Sequence, residues 1–214
     1  MKLSSRQIAV LKVVIFTVCL MPLAWLSWGL WQDTLGANPV ETLIRSLGRW
    51  ALKFLLITLA ITPLRRLTGI GALQRIRRML GLFCFFYALL HWSTYLWLDQ
   101  SLDWIAIAKD IIKRPFITMG MLAFTMLLPL AITSTNGMMR RMGGKNWQAL
   151  HRAVYAIGIC VVLHFWWMVK LDTTWPKIYA AVLALLLGVR LYWLWRSRQT
   201  VHAELVEART EAGR

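Results

Sequence analysis

The chain is short of acid. Nine Asp and Glu stand against 25 Lys and Arg in 214 residues, a formal charge of +16. None of the nine lies inside a long apolar run, and intramembrane carboxylates are what a membrane proton or metal relay would need. Cysteine is also scarce. Cys19, Cys84 and Cys160 each sit within an apolar run, with no C-x-x-C pair and no C-x-x-C-H segment for covalent haem attachment. The three thiols read as packing residues. Long polar stretches are missing too, so the sequence offers no soluble domain, no low-complexity linker and no convincing internal repeat. The basic residues fall between apolar runs rather than in one stripe, which excludes nucleic acid as a partner.

What remains is apolar. Hydrophobic residues make up 58% of the chain and its mean hydropathy is +0.55, beyond ordinary soluble composition. Thirteen tryptophans are present. Many stand at the ends of apolar runs (Trp25, Trp28, Trp31, Trp97, Trp147, Trp166, Trp167, Trp193, Trp195), the pattern of aromatic belts at the two bilayer surfaces. About 20 apolar residues cross a bilayer. By that measure six spans are expected, roughly 9–31, 43–63, 79–98, 116–135, 147–169 and 176–195. The predicted fold is an all-α integral membrane protein, a six-helix bundle in the lipid bilayer. Its membrane domain covers 1–196, and a polar tail, 197–214, reads as a disordered segment or a frayed helix. The first run is too long for a signal-peptide core and lacks a small-residue cleavage site, so it is expected to be retained.

Several local features qualify this pattern. Pro22 predicts a kink in the first span. Arg45, Arg49 and Lys53 share one face of the second. They read either as snorkelling side chains or as a basic face that meets haem propionates, a quinone or a partner. Thr62-Pro63 is expected to end that helix, and Asn136-Gly137 to mark the stop after the fourth. Basic residues set the orientation. The segments 1–12, 64–79, 135–147 and 196–214 hold 15 Lys and Arg, and the opposite segments 32–50, 99–114 and 170–177 hold 7. Cytoplasmic loops carry the excess, so both termini are expected in the cytoplasm.

The chemistry rests on histidine. His91 lies in the third span and His164 in the fifth. Both spans run outward, and both residues fall in the outer half. One imidazole from each of two facing helices fills both axial positions of one haem, a geometry suited to electron transfer. The bland alternative is two polar residues bonded separately to neighbouring helices. His151 lies thirteen residues before His164, about 20 Å along the axis and about 140° around it. No histidine on the third span matches its depth; Arg77 and Arg78 do, and guanidinium groups suit a haem propionate or a flavin phosphate. His151 therefore reads three ways: ligand of a second haem with a non-histidine partner, border of a flavin, or a side chain facing headgroups. His202, in the tail, is expected in solvent. A transporter using the histidines as a relay is the rival reading, and a membrane anchor for a partner is another.

The segments GANPVETLIRSLGRWALKFLLITLAITPLRR, RRMLGLFCFFYALLHWSTYLWLD, RPFITMGMLAF, LAITSTNGMMRRMGGKNWQALHRAVY and VLHFWW resemble the YedZ/MsrQ family, within the ferric-reductase-like transmembrane domain group. The resemblance covers about residues 1–196. It implies a haem-binding subunit of a bacterial inner-membrane methionine sulfoxide reductase system. Such a subunit carries haem b and FMN. It passes electrons from the quinone pool or a cytosolic flavin reductase to a periplasmic molybdenum-containing (molybdopterin) catalytic subunit, where the sulfoxide is reduced. The histidines that match are His91, His151 and His164. The third span lacks the second histidine of related NADPH-oxidase-type proteins, and their FAD/NADPH domain has no counterpart here.

The basic asymmetry makes a direct prediction. A C-terminal fusion to a reporter active only after export should stay silent, and the same reporter placed in the segment 99–114 should be active. The reverse pattern would invert the orientation.

Overall fold

The computed structural model describes residues 4–169 and 171–212, with side chains to Thr200. Among these residues every regular element is helical: α1 (Ser5–Trp31), α2 (Pro39–Thr68), α3 (Ala72–Thr94), α4 (Trp104–Lys113), α5 (Pro115–Ile132), α6 (Asn136–Met142), α7 (Gly144–His151), α8 (Ala153–Met168) and α9 (Thr174–Ala212). A π-helical turn, Tyr95–Asp99, prolongs α3. Six stretches are long and apolar enough to cross a membrane: Ser5–Trp31, Pro39–Thr68, Ala72–Asp99, Pro115–Ile132, Gly144–Met168 and Thr174–Thr200. Each falls on one of the six expected spans.

The starts of the helices follow ordinary capping chemistry. Ser4 and Gln7 form a reciprocal capping box at α1. Asn38 caps α2, with Pro39 at the first position. At the far end of α2 Gly69 takes φ 70°, a left-handed stop that glycine adopts without strain.

α2 is the centre of the bundle. Ten of its residues are buried, from Leu47 to Pro63, against four in α1. It packs lengthwise on α3, while α5 pairs with α8. α1 lies against α2 and α3, and α9 against α2 and α8. The outward faces keep large apolar side chains exposed, among them Val13, Phe16, Met21, Trp25, Leu185 and Trp195. A surface of this kind belongs in lipid.

Two side chains from neighbouring helices bond to the backbone of α1 and α2 near their internal prolines. Near Pro22 the α1 backbone is met by Tyr87 of α3. Its fully buried phenol donates to Cys19 O at 2.8 Å and accepts from Leu23 N–H at 3.2 Å. Those two groups are partners in the helix ladder, so the hydroxyl shares both ends of one rung. Pro63 corrects the expectation that α2 ends there. The helix continues to Thr68. Proline at 63 removes the N–H that would meet Leu59 O, and Arg190 Nη2 of α9 donates to that carbonyl at 2.5 Å. The same guanidinium lies over the Tyr155 ring at 5.2 Å. A neighbouring helix thus satisfies the carbonyl the proline leaves free, and the helix need not stop.

Other boundaries also move. The segment 99–114, expected as an outer loop, contains α4. Asp103 Oδ1 accepts from Ile105 and Ala106 N–H to start it. Ile107 is buried while Trp104, Ile105 and Ile112 stay exposed, as suits a helix lying in the bilayer interface. Asn136-Gly137 does not mark the stop. α5 ends at Ile132, and Thr135 accepts from Met138 N–H to begin α6. The tail continues α9 as helix to Ala212; the side chain of His202 lies outside the described residues. On α2 the basic face is engaged locally. Arg45 pairs with Glu41, Arg49 Nη2 donates to Ser46 at 3.4 Å, and Lys53 stands 4.1 Å from the centre of the Trp50 ring.

The pairing of Pro63 with Arg190 predicts an energetic coupling. Arg190→Met should lower stability in detergent by about 1–3 kcal/mol, because Leu59 O is left unpaired. In a Pro63→Ala background, where the main chain supplies the donor, the same substitution should matter far less. Thermal unfolding of the four proteins checks this cycle, and additive effects would contradict it.

Candidate functional site

Two polar centres lie at opposite ends of the bundle. The first joins the α2–α3 pair to the α5–α8 pair. His91 projects from α3 and His164 from α8, and their ring centroids are 6.1 Å apart. Each ring is held by the helix it leans on. His91 Nδ1 lies 2.8 Å from Ile44 O of α2, and His164 Nδ1 lies 2.6 Å from Phe116 O of α5. A carbonyl can only accept, so both Nδ1 atoms carry the proton, and in the neutral ring Nε2 keeps its lone pair.

Glycine makes these contacts possible. A Cβ on Gly48 would sit 3.1 Å from His91 Nδ1 and Cε1, and one on Gly120 would sit 2.8 Å from His164 Nδ1. Gly48 follows Ile44 by four residues, and Gly120 follows Phe116 by four. In a helix the side chain four residues on leans back over the preceding turn, so its removal uncovers the carbonyl for a second donor. The two half-sites are built alike on different helix pairs. Among the described residues no three His, Cys, Asp or Glu side chains converge, so any metal held here takes its remaining ligands from elsewhere.

The second centre is a cleft of about 160 Å³ at the other end of α3, α5 and α7. Gln74, Arg77, Arg78, Ser134, Trp147 and His151 form its polar rim, and Leu55, Gly81, Cys84 and Phe85 line its floor. His151 stacks on Trp147 with ring centroids 3.9 Å apart, and Trp147 Nε1 donates to Thr133 O at 2.9 Å. Thr133 Oγ1 gives its only hydrogen to Pro129 O at 2.6 Å. At its 3.1 Å contact with His151 Nε2 it must therefore accept. His151 is thus protonated on Nε2, the opposite tautomer from the other two. Arg78 Nη1 donates to Asn136 Oδ1 at 2.5 Å. Neither Arg77 nor Arg78 has an acidic partner among the described residues.

The structure brings His91 to His164, and brings Arg77, Arg78 and His151 to one cleft, as their depths in the sequence predict. Both histidines of the fifth span reach α5 or its C-terminal cap, despite their separation around an ideal helix. The chain tightens between them, where Arg152 N–H bonds to both Gln148 O and Ala149 O and separates α7 from α8. Sequence reasoning missed Gly48, Gly120, Thr133 and the stacking of Trp147 on His151. A glycine at the depth of a histidine on the adjoining span was the available signal.

Residues 47–162 match the family described as ferric reductase like transmembrane component, a stretch that includes His91, His151, Arg77 and Arg78. Together with the six apolar helices, this defines a multi-pass membrane protein of the ferric-reductase-like class. Similarity is strong to proteins named protein-methionine-sulfoxide reductase heme-binding subunit MsrQ. The Herminiimonas arsenicoxydans protein is 50% identical over 94% of this chain and 93% of its own length. The Azospira oryzae protein is 52% identical, covering 92% and 88%, and that of Xanthomonas oryzae pv. oryzae is 48% identical, covering 98% and 95%. The chain belongs to the MsrQ family. No solved structure matches it.

Proposed function

We propose that this chain is the haem-binding, electron-transferring membrane subunit of a protein-methionine-sulfoxide reductase system. The observation that carries the reading is the His91–His164 pair. Two bonds of ~2 Å between imidazole nitrogen and a first-row metal, plus two ring half-widths, put the centroids about 6 Å apart. The observed separation is 6.1 Å, and the lone pair on each Nε2 is the one a metal would take. His91 and His164 would hold haem b as its two axial ligands, one from each helix pair. Held between these two imidazoles, the haem would supply one-electron transfer.

The chain's own residues do the rest. Ile44 O and Phe116 O fix the tautomer of each ligand and hold its ring, the role that outer partners of metal-bound histidine usually fill. The apolar core of α2, α3, α5 and α8 excludes water. At the other end, Arg77 and Arg78 would bind a phosphate or carboxylate of an anionic cofactor, FMN in this reading, and His151 with Trp147 would form a flat wall beside it. His151 lies stacked on Trp147 in a cleft that Arg77 and Arg78 also line, which favours the flavin-border reading over ligation of a second haem. Electrons enter at the Arg77 end from the quinone pool or a cytosolic flavin reductase. They leave at the His91 end toward a periplasmic molybdopterin-containing catalytic subunit, where sulfoxide reduction takes place. The basic asymmetry supports this direction, since an excess of Lys and Arg favours the cytoplasmic side for Arg77 and both termini, and the membrane in this reading is a bacterial inner membrane.

The inner cleft is checked by replacing Arg77, Arg78 and His151 together and measuring bound flavin and haem. Flavin should be lost and reduction by a cytosolic flavin reductase should slow, with haem retained. Unchanged flavin content and unchanged reduction would remove the cleft from the pathway.

The outer site has a sharper test. Purified wild-type protein should show a Soret band. His91→Ala and His164→Ala should each retain about tenfold less haem, or less still, while His151→Ala and His202→Ala keep most of it. A normal low-spin spectrum at full occupancy in both ligand variants would end this assignment.

A further inference from the structure

The two imidazole planes of the first centre stand 78° apart. Neither ring is free to choose this angle. Each is held at its Nδ1 edge, by the Nδ1–carbonyl bond and by the close bare surface of a glycine that meets Nδ1 and Cε1. His91 is held by Ile44 and Gly48 on α2, and His164 by Phe116 and Gly120 on α5. The two cradles sit on different helices, α2 and α5, so the angle between the rings depends on how those helices are set against α3 and α8.

The angle has an electronic consequence for an iron between the rings. Each imidazole donates π density into the iron orbital that lies perpendicular to its own plane. Parallel rings raise the same orbital, split the pair and give a rhombic low-spin ferric spectrum with three resolved lines. Perpendicular rings raise both orbitals alike. The near-degenerate pair then keeps its orbital angular momentum, and the spectrum becomes a strongly anisotropic one dominated by a single line at large g.

We infer that Gly48 and Gly120 are positioning residues that hold His91 and His164 close to perpendicular, so that haem bound between them is a large-g, highly anisotropic low-spin centre. This rests on the reading of His91 and His164 as axial ligands. The two cradles are not equally tolerant. Favourable contact between heavy atoms lies near ~3.5–4 Å. A Cβ at Gly120 would meet His164 Nδ1 at 2.8 Å and Cε1 at 2.9 Å, whereas one at Gly48 would meet His91 at 3.1 Å. Alanine at 120 must turn or tilt its imidazole, and alanine at 48 can be absorbed by a smaller shift.

The experiment is low-temperature electron paramagnetic resonance of the oxidised, haem-loaded protein, with haem content measured in parallel. Wild type should give the single large-g line. Gly120→Ala should move that line to lower g or split it into a rhombic population, Gly48→Ala should do so less, and each should retain measurable haem. Gly188→Ala, whose Cβ meets nothing within 4 Å, should leave the line where it is. A rhombic three-line wild-type spectrum overturns the perpendicular geometry. A large-g line that neither glycine variant moves at full haem content overturns the role of the cradles. Should Gly120→Ala hold no haem, the wild-type spectrum and the milder Gly48→Ala still decide the matter. Failure of the ligand assignment looks different: the large-g line would then survive in His91→Ala and His164→Ala.

Discussion

The fold depends on what happens to backbone carbonyls where water is absent. In the hydrocarbon region each polar main-chain group needs a partner within the protein, and an α-helix supplies one automatically. This bundle gains its tertiary specificity where that ladder is opened or shared. Tyr87 shares a rung of the α1 ladder, and Arg190 takes the Leu59 carbonyl that Pro63 releases. His91 and His164 add second donors to carbonyls already bonded within α2 and α5. Helix packing in lipid has little hydrophobic drive, so such contacts, together with close approach at glycine, decide which faces meet. The redox-capable histidines are therefore part of the same device that assembles the bundle.

The two centres differ in a way that follows from their partners. At one end each histidine gives its Nδ1 proton to a main-chain oxygen, which no rotation of a side chain can withdraw, and presents Nε2 as a base. At the other end His151 gives its Nε2 proton to a threonine hydroxyl and lies flat on Trp147, among guanidinium groups. The first arrangement suits a group that binds through nitrogen lone pairs. The second suits a planar, anionic group held by stacking and charge. Two chemically different sites thus follow from one pair of histidines thirteen residues apart on the same span.

Much of this was legible in the sequence because it depends on depth alone. Span number and order follow from run length, and the pairing of His91 with His164, or of Arg77 and Arg78 with His151, follows from counting residues along two spans that cross the bilayer in the same direction. What was not legible depends on three-dimensional partners. Pro63 looks like a terminator until Arg190, far away in sequence, is seen to satisfy Leu59. α4 is too short for a span and carries charge, so it reads as loop until Asp103 and the buried Ile107 are placed. Gly48 and Gly120 share the depth of a histidine on an adjoining span, but only the neighbouring ring shows what a methyl group would strike. The tail reads as frayed because its composition is polar, whereas the backbone runs straight on from α9.

One feature of the Leu59 contact reaches beyond stability. Within the membrane α9 is apolar on nearly every side, and a smooth greasy cylinder has no reason to prefer one rotation about its long axis over another. The guanidinium of Arg190, seated on a carbonyl of α2, acts as an indexing pin. It sets the azimuth of α9, and with it which side of that helix is turned toward α8 and which toward lipid.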